Sequence, residues 1–179
     1  LHVNGGIGLI SSKLLLEGPI VKDKGAFLVA GRSSYAHLFL KLNEETKDDT
    51  AYFYDLNAKL NYKLGENDNV YMSGYFGRDV FSLADSFTNI YGNATLNARW
   101  NHLFSNKLFS NLSFIYSDYF YGFELDFIGF TWDSNIRNYN IKYDFKNYVS
   151  NNLKLDYGVS AIYYDFNPGV ISPNSPDSG

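Results

Sequence analysis

The sequence predicts an all-β chain, a transmembrane antiparallel up-and-down β-barrel wall of about eight strands. Three observations carry that reading. Aromatic residues make up 18% of the 179, nearly all of them Tyr or Phe, types that favour strands and suit a surface apolar at one end and wet at the other. Apolar and polar residues alternate with period two over long stretches, and no helical period competes. Compact polar turns alternate with longer connections, as they do in membrane barrels.

The strands are expected, in order, at Ile7 to Pro19, Ala26 to Lys41, Ala51 to Leu64, Val70 to Phe81, Tyr91 to Leu103, Leu108 to Leu125, Asn135 to Phe145 and Leu153 to Phe166. The first two flank the polar turn Lys22 to Gly25. The third shows the alternation best: Tyr54, Leu56, Ala58, Leu60, Tyr62 and Leu64 interleave with Asp55, Asn57, Lys59, Asn61 and Lys63. The fourth follows the turn Gly65 to Asn69. In the fifth, Ala94, Leu96, Ala98 and Trp100 alternate with Asn93, Thr95, Asn97, Arg99 and Asn101, and the sixth starts after the turn Ser105 to Lys107. Tyr139, Ile141, Tyr143 and Phe145 mark the seventh. Leu153, Leu155, Tyr157, Val159, Ala161 and Tyr163 mark the eighth, after the turn Lys146 to Asn152.

The longer segments Leu42 to Thr50, Ser82 to Asn89 and Asp126 to Ser134 then belong to the outer side of a membrane. The tail from Asn167 is expected to open a fourth loop, because Pro168, Gly169, Pro173 and Pro176 oppose a regular ladder. The turns recur roughly every forty residues, a propeller-like spacing, but two long strands per repeat replace the four short ones of a blade.

Alternation alone also fits a soluble sandwich, whose strands bury one face against a second sheet. The length of these strands, and Tyr placed towards the ends of the apolar face, favour lipid. In hydrocarbon every backbone N–H and C=O needs a partner, so an open sheet must close into a ring. A self-contained barrel would end on a strand, whereas this chain ends in a Pro- and Ser-rich stretch, so the expectation is a partial barrel that occupies residues 1–179.

Composition excludes several classes. No apolar run is long enough for a membrane helix, and mean hydropathy is −0.25. The chain has no cysteine, so it can build neither a disulfide framework nor thiol chemistry. A net charge of −4 with charges scattered singly offers no basic patch for nucleic acid. Leu1 opens the chain without a basic region or an apolar leader, and it is read as an internal start.

The segment Gly5 to Phe39, GGIGLISSKLLLEGPIVKDKGAFLVAGRSSYAHLF, resembles the first barrel hairpin of TonB-dependent outer-membrane transporters. The likeness is to the branch in which a carboxypeptidase-like regulatory domain precedes the plug. Asn61 to Phe81 and Tyr91 to Tyr119 extend it, and it fades after Tyr121. Ser33 after Arg32 departs from the pattern, where a second basic residue is expected. The resemblance implies a Gram-negative outer-membrane barrel of about twenty-two strands filled by a plug, neither the plug nor the remaining strands lying in this sequence. It implies active uptake of an iron chelate, cobalamin, glycan or peptide, driven through the TonB energy-coupling complex. Its expected partners are the plug and the remaining strands of the same parent chain, outer-membrane lipid and a surface lipoprotein. A complete small barrel with an adhesin or structural role is the alternative.

Arg32, Asp79, Asp118 and Glu124 sit inside strand patterns and are expected to face the lumen, because a charge facing lipid is penalised. They are candidate substrate contacts, although lumen charges in a plugged barrel mostly meet the plug or water. His2, His37 and His102 are isolated, with no HExxH and no cysteine partner, so no metal site and no cofactor is expected. His37 and His102 suit the interfacial ends of strands. Glu44, Glu45, Asp48 and Asp49 make an acidic loop, read as solvated. Gly5, Gly6 and Gly8 lead into a strand with no Lys-Ser/Thr after them, which reads as a hinge and not a phosphate loop. Catalysis would need a His37-centred base with a Ser nucleophile, and no such pairing is visible, so no enzymatic activity is expected.

Overall fold

The computed structural model describes residues 1–84, 86–125 and 128–173. It contains β1 (His2–Ile7), β2 (Ser11–Val21), β3 (Gly25–Ser34), α1 (His37–Leu40), β4 (Thr50–Lys63), β5 (Asp68–Leu83), β6 (Phe87–Ser105), β7 (Leu108–Leu125), β8 (Phe130–Ser150) and β9 (Leu153–Pro173). The strands form one antiparallel sheet in the order β1-β2-β3-β4-β5-β6-β7-β8-β9, each hydrogen-bonded to its sequence neighbour. The sheet is open, and β1 and β9 are its edges.

The eight expected strands are β2 to β9. Their alternation holds because one pairing register runs through β4, β5 and β6 without a shift, from Thr50↔Ser82 to Lys63↔Asn69 and from Leu83↔Phe87 to Asp68↔His102. At one end the strands are joined by tight turns, and in the first of them Asp23 adopts φ 59 while Lys24 N–H donates to the Val21 carbonyl at 3.1 Å. Asp tolerates this left-handed conformation better than most residues. This is called the turn end below. The other end carries the longest connection, which includes α1, and is called the loop end.

Four expectations change. The glycine-rich opening is a strand: Gly5 and Gly6 pair with Leu14 and Lys13, while Gly8 N–H donates to the Ser11 carbonyl at 2.8 Å in the following turn. The second expected strand stops at Ser34 and does not reach Lys41. There the Ser34 hydroxyl donates to the Ile10 carbonyl at 3.1 Å and accepts from Ala36 N–H at 3.2 Å, releasing the chain into α1.

The segments Ser82 to Asn89 and Asp126 to Ser134 are largely strand, since β5 and β6 continue to Leu83 and from Phe87, and β8 begins at Phe130. The Ser82–Thr88 hydroxyl contact of 2.8 Å and the Phe81–Phe87 ring contact of 5.9 Å zip the β5–β6 hairpin to its tip. Asp126 lies outside the described residues. Finally, the tail does not become a loop at Asn167, because β9 pairs with β8 as far as Phe130↔Pro173. The ladder absorbs Pro168 and Gly169 as an irregularity between Asp133↔Val170 and Asn135↔Asn167. Pro176 lies outside the described residues.

The described residues form one sheet with no second layer. Among the described residues Val80 is the one buried apolar side chain, at 8% exposure, whereas Leu56 and Ile141 are 50% and 52% exposed. A soluble sandwich would bury one such face against another sheet, and among the described residues none does so.

Candidate functional site

Directly paired residues in an antiparallel ladder project to the same side, so the registers define two faces. One face carries an apolar band. Phe27, Leu60, Met72, Ala98, Phe114, Ile141 and Ala161 form one of its rows, and Leu16, Val29, Ala58, Leu96, Tyr116, Tyr139 and Tyr163 form the next.

Aromatic chains border this band on both sides. Towards the loop end Tyr52, Tyr54, Phe76 and Phe120 follow one another at ring spacings of 6.5, 6.0 and 6.4 Å, and Tyr116, Tyr139 and Tyr163 at 5.1 and 6.2 Å. Towards the turn end Trp100, His102, Phe104, Phe145 and Tyr157 are spaced 5.5, 4.4, 6.4 and 5.3 Å apart. Asp68 anchors this lower chain by accepting from Trp100 Nε1 at 2.8 Å and contacting His102 Nδ1 at 2.7 Å. From Tyr54 to Tyr62 along β4 the band is roughly 27 Å long.

The opposite face is polar at the same height. Asn57, Lys59 and Asn61 of β4, Ser73 of β5, Asn97, Arg99 and Asn101 of β6, Asn111 and Ser113 of β7, and Asn138, Asn140 and Lys142 of β8 share it. The Asn101 carboxamide donates to Asn111 across the β6–β7 ladder, and Arg99 lies over the Tyr71 ring at 4.8 Å. A cavity of about 460 Å³ opens here, lined by Glu17, Lys59, Asn61, Tyr71, Asn97 and Arg99 among others.

Near the loop end the polarity of the two faces exchanges. The face that was polar now carries Phe81, Phe87 and Phe123, in ring contact at 5.9 and 5.8 Å, and Tyr121 against Trp132 at 5.7 Å. The face that was apolar now carries Arg78, Asp118, Glu124, Asn135, Arg137, Asp165 and Asn167.

The four candidate charges therefore divide. Arg32 and Asp79 lie on the polar face. Arg32 contacts Asp55 through Nε and Nη2, both at 2.7 Å, and its guanidinium lies 4.8 Å over the Phe53 ring. Asp79 stands in a row between Phe53 and Tyr91. Asp118 and Glu124 are on the other face, which corrects the expectation that all four share one side. Strands β7 and β8 outrun the apolar band, so beyond it the band's face is free to carry charge. Asp118 accepts from Arg137 Nε at 3.1 Å and Tyr116 Oη at 3.3 Å, and Arg137 reaches Asp165 at 3.6 Å. Glu124 is paired in register with Thr88 and Thr131.

The histidines stay apart from one another. His2 contacts Glu17 at 3.0 Å, His37 in α1 stacks edge-on against Tyr52 at 6.1 Å, and His102 belongs to the lower aromatic chain. Among the described residues no group of three or more His, Cys, Asp or Glu side chains is placed to hold a metal ion. In the acidic loop, Glu44 pairs with Lys47 at 2.8 Å and Asp49 accepts from Ala84 N–H at 3.0 Å, which ties that loop to the β5–β6 tip.

Sequence reading missed Asp55, Arg78, Arg137 and Asp165 as members of these clusters. Asp55 was visible only as an alternating polar residue, and the partners of all four depend on the register between strands. No helix of the described residues is long and apolar enough to cross a membrane. Comparison with protein-family models, curated proteins and solved structures finds no match to the chain.

Proposed function

We propose that this chain is part of the wall of an outer-membrane β-barrel that takes up a nutrient as a TonB-dependent transporter, with its apolar band against lipid and its polar face towards a plugged lumen. The observation that supports this best is a single-layer sheet whose apolar band is edged by aromatic chains and covered by none of the described residues. Aromatic girdles flanking an apolar band of about 25 Å are the mark of membrane barrels. Strands β8 and β9 have 21 residues each, twice the roughly 9–11 that a tilted span requires, so they would project well beyond the bilayer. The open edges at β1 and β9 would be closed by further strands, and the lumen charges would meet a plug. The transporter assignment itself rests on the resemblance in the segments Gly5 to Phe39, Asn61 to Phe81 and Tyr91 to Tyr119.

The two tryptophans test the membrane placement, because Trp100 lies in the lower border of the apolar band and Trp132 on the opposite face. In vesicles containing brominated lipid, the Trp132→Phe variant should lose most of its fluorescence and the Trp100→Phe variant little. Equal quenching, or a folded chain that stays out of the vesicles, would overturn the reading. A cysteine pair placed at Val3 of β1 and Val159 of β9 separates the partial barrel from a complete small one, since a disulfide forming within the monomer would mean that the two edges meet.

A further inference from the structure

Just beyond the loop-end border of the apolar band, on the same face, the sheet holds a depression of about 420 Å³. Its polar lining comes from Arg78, Asp118, Asp133, Asn135, Arg137 and Asn167. Phe120 also lines it, and through its 6.4 Å contact with Phe76 it connects the depression to the band below. Arg137 and Asp118 are paired with each other. Arg78 is different: among the described residues no carboxylate pairs with it, and its Nε is shielded from solvent without a hydrogen-bond acceptor. A shielded guanidinium N–H beside an open cavity is a vacant donor, and the guanidinium fork matches phosphate oxygens. Asp133 contributes the other sign, so the four charged groups of the lining balance.

We propose that this depression binds the zwitterionic headgroup of a membrane lipid, with phosphate at Arg78 and Arg137, an amine towards Asp133, and acyl chains along the apolar band. The site rests on the lipid-facing assignment proposed above. Charge balance favours a headgroup carrying phosphate and amine over a purely anionic one, and continuity with the band favours a lipid over a soluble phosphate.

The whole chain, folded in detergent micelles, is titrated with phosphatidylethanolamine, phosphatidylglycerol or diacylglycerol of the same acyl chains, and bound lipid is counted by native mass spectrometry. Phosphatidylethanolamine should be retained at least fivefold better than diacylglycerol and better than phosphatidylglycerol. Arg78→Gln should bring the first ratio close to one, while Lys13→Gln on the opposite face should leave it unchanged. Asp133→Asn, which leaves both arginines in place, should remove the preference over phosphatidylglycerol even if Arg78→Gln fails to fold.

Equal retention of phosphatidylethanolamine and diacylglycerol would overturn the site while leaving the lipid-facing band intact. A preference for phosphatidylglycerol would overturn the zwitterionic assignment, and displacement by millimolar inorganic phosphate would overturn the lipid source. Retention of no lipid at all by the folded chain would bring down the membrane reading together with the site.

Discussion

Asp118 of β7 and Arg137 of β8 stand directly opposite each other in the ladder, carboxylate to guanidinium at 3.1 Å, on the face that carries Phe114 and Ile141 further along the same strands. The pair marks the height at which that face stops being apolar. Arg137 is 43% exposed at its side chain, so solvent screens the interaction. A double-mutant cycle of Asp118→Asn with Arg137→Gln should give only the weak coupling of a solvent-screened pair, reduced further by added salt. A strong, salt-insensitive coupling would place the pair inside hydrocarbon and shift the border of the band.

Within the band the two faces should respond oppositely to charge. Leu60→Arg or Leu96→Arg puts a guanidinium into the apolar rows and should cost about 2–4 kcal/mol of folding stability in a bilayer. Asn57→Arg or Asn97→Arg, on the polar face, should change it by less than about 1 kcal/mol. Urea titrations in vesicles measure both, and similar losses for the two pairs would contradict the face assignment.

Most of the fold is legible in the sequence because alternation is local. Tyr54 to Leu64 declares its two faces without knowledge of any partner strand. What is illegible depends on partners. Pro168 and Gly169 carry the local signature of a loop, yet Trp132 and Ile171 pair across them and extend β9. Gly5 and Gly6 give no pattern of their own and become strand because β2 offers a ladder. The facing of Asp118 is illegible for another reason: parity says which side a residue takes, but only the height of the band says whether that side is apolar there. The Arg32–Asp55 ion pair likewise needs the β3–β4 register, which no single stretch of sequence contains.

Gly169 should be intolerant of any side chain. Its φ is +127, a region that side chains rarely adopt, and a Cβ would collide with the Trp132 indole. Gly169→Ala should therefore separate the loop-end pairing of β8 and β9. Amide exchange is expected to accelerate at Val170 and Ile171 while Tyr157 to Tyr163 keep their protection. Unchanged protection at Val170 would show that the ladder does not extend past the irregularity.

Asp68 is the last test, because one carboxylate oxygen serves both the Trp100 indole and His102 at the turn-end border of the band. An interfacial tryptophan prefers its N–H bonded while its rings stay in the apolar layer. In Asp68→Ala both donors lose their shared acceptor, and the folded chain should lose stability in vesicles. Asp68→Asn keeps an acceptor oxygen and should recover most of the loss. The Trp100 emission, read in the Trp132→Phe background, should shift in Asp68→Ala and return towards the parent value in Asp68→Asn. An unshifted emission in Asp68→Ala would mean that the indole is positioned by its neighbouring rings alone and that Asp68 has no part in the border.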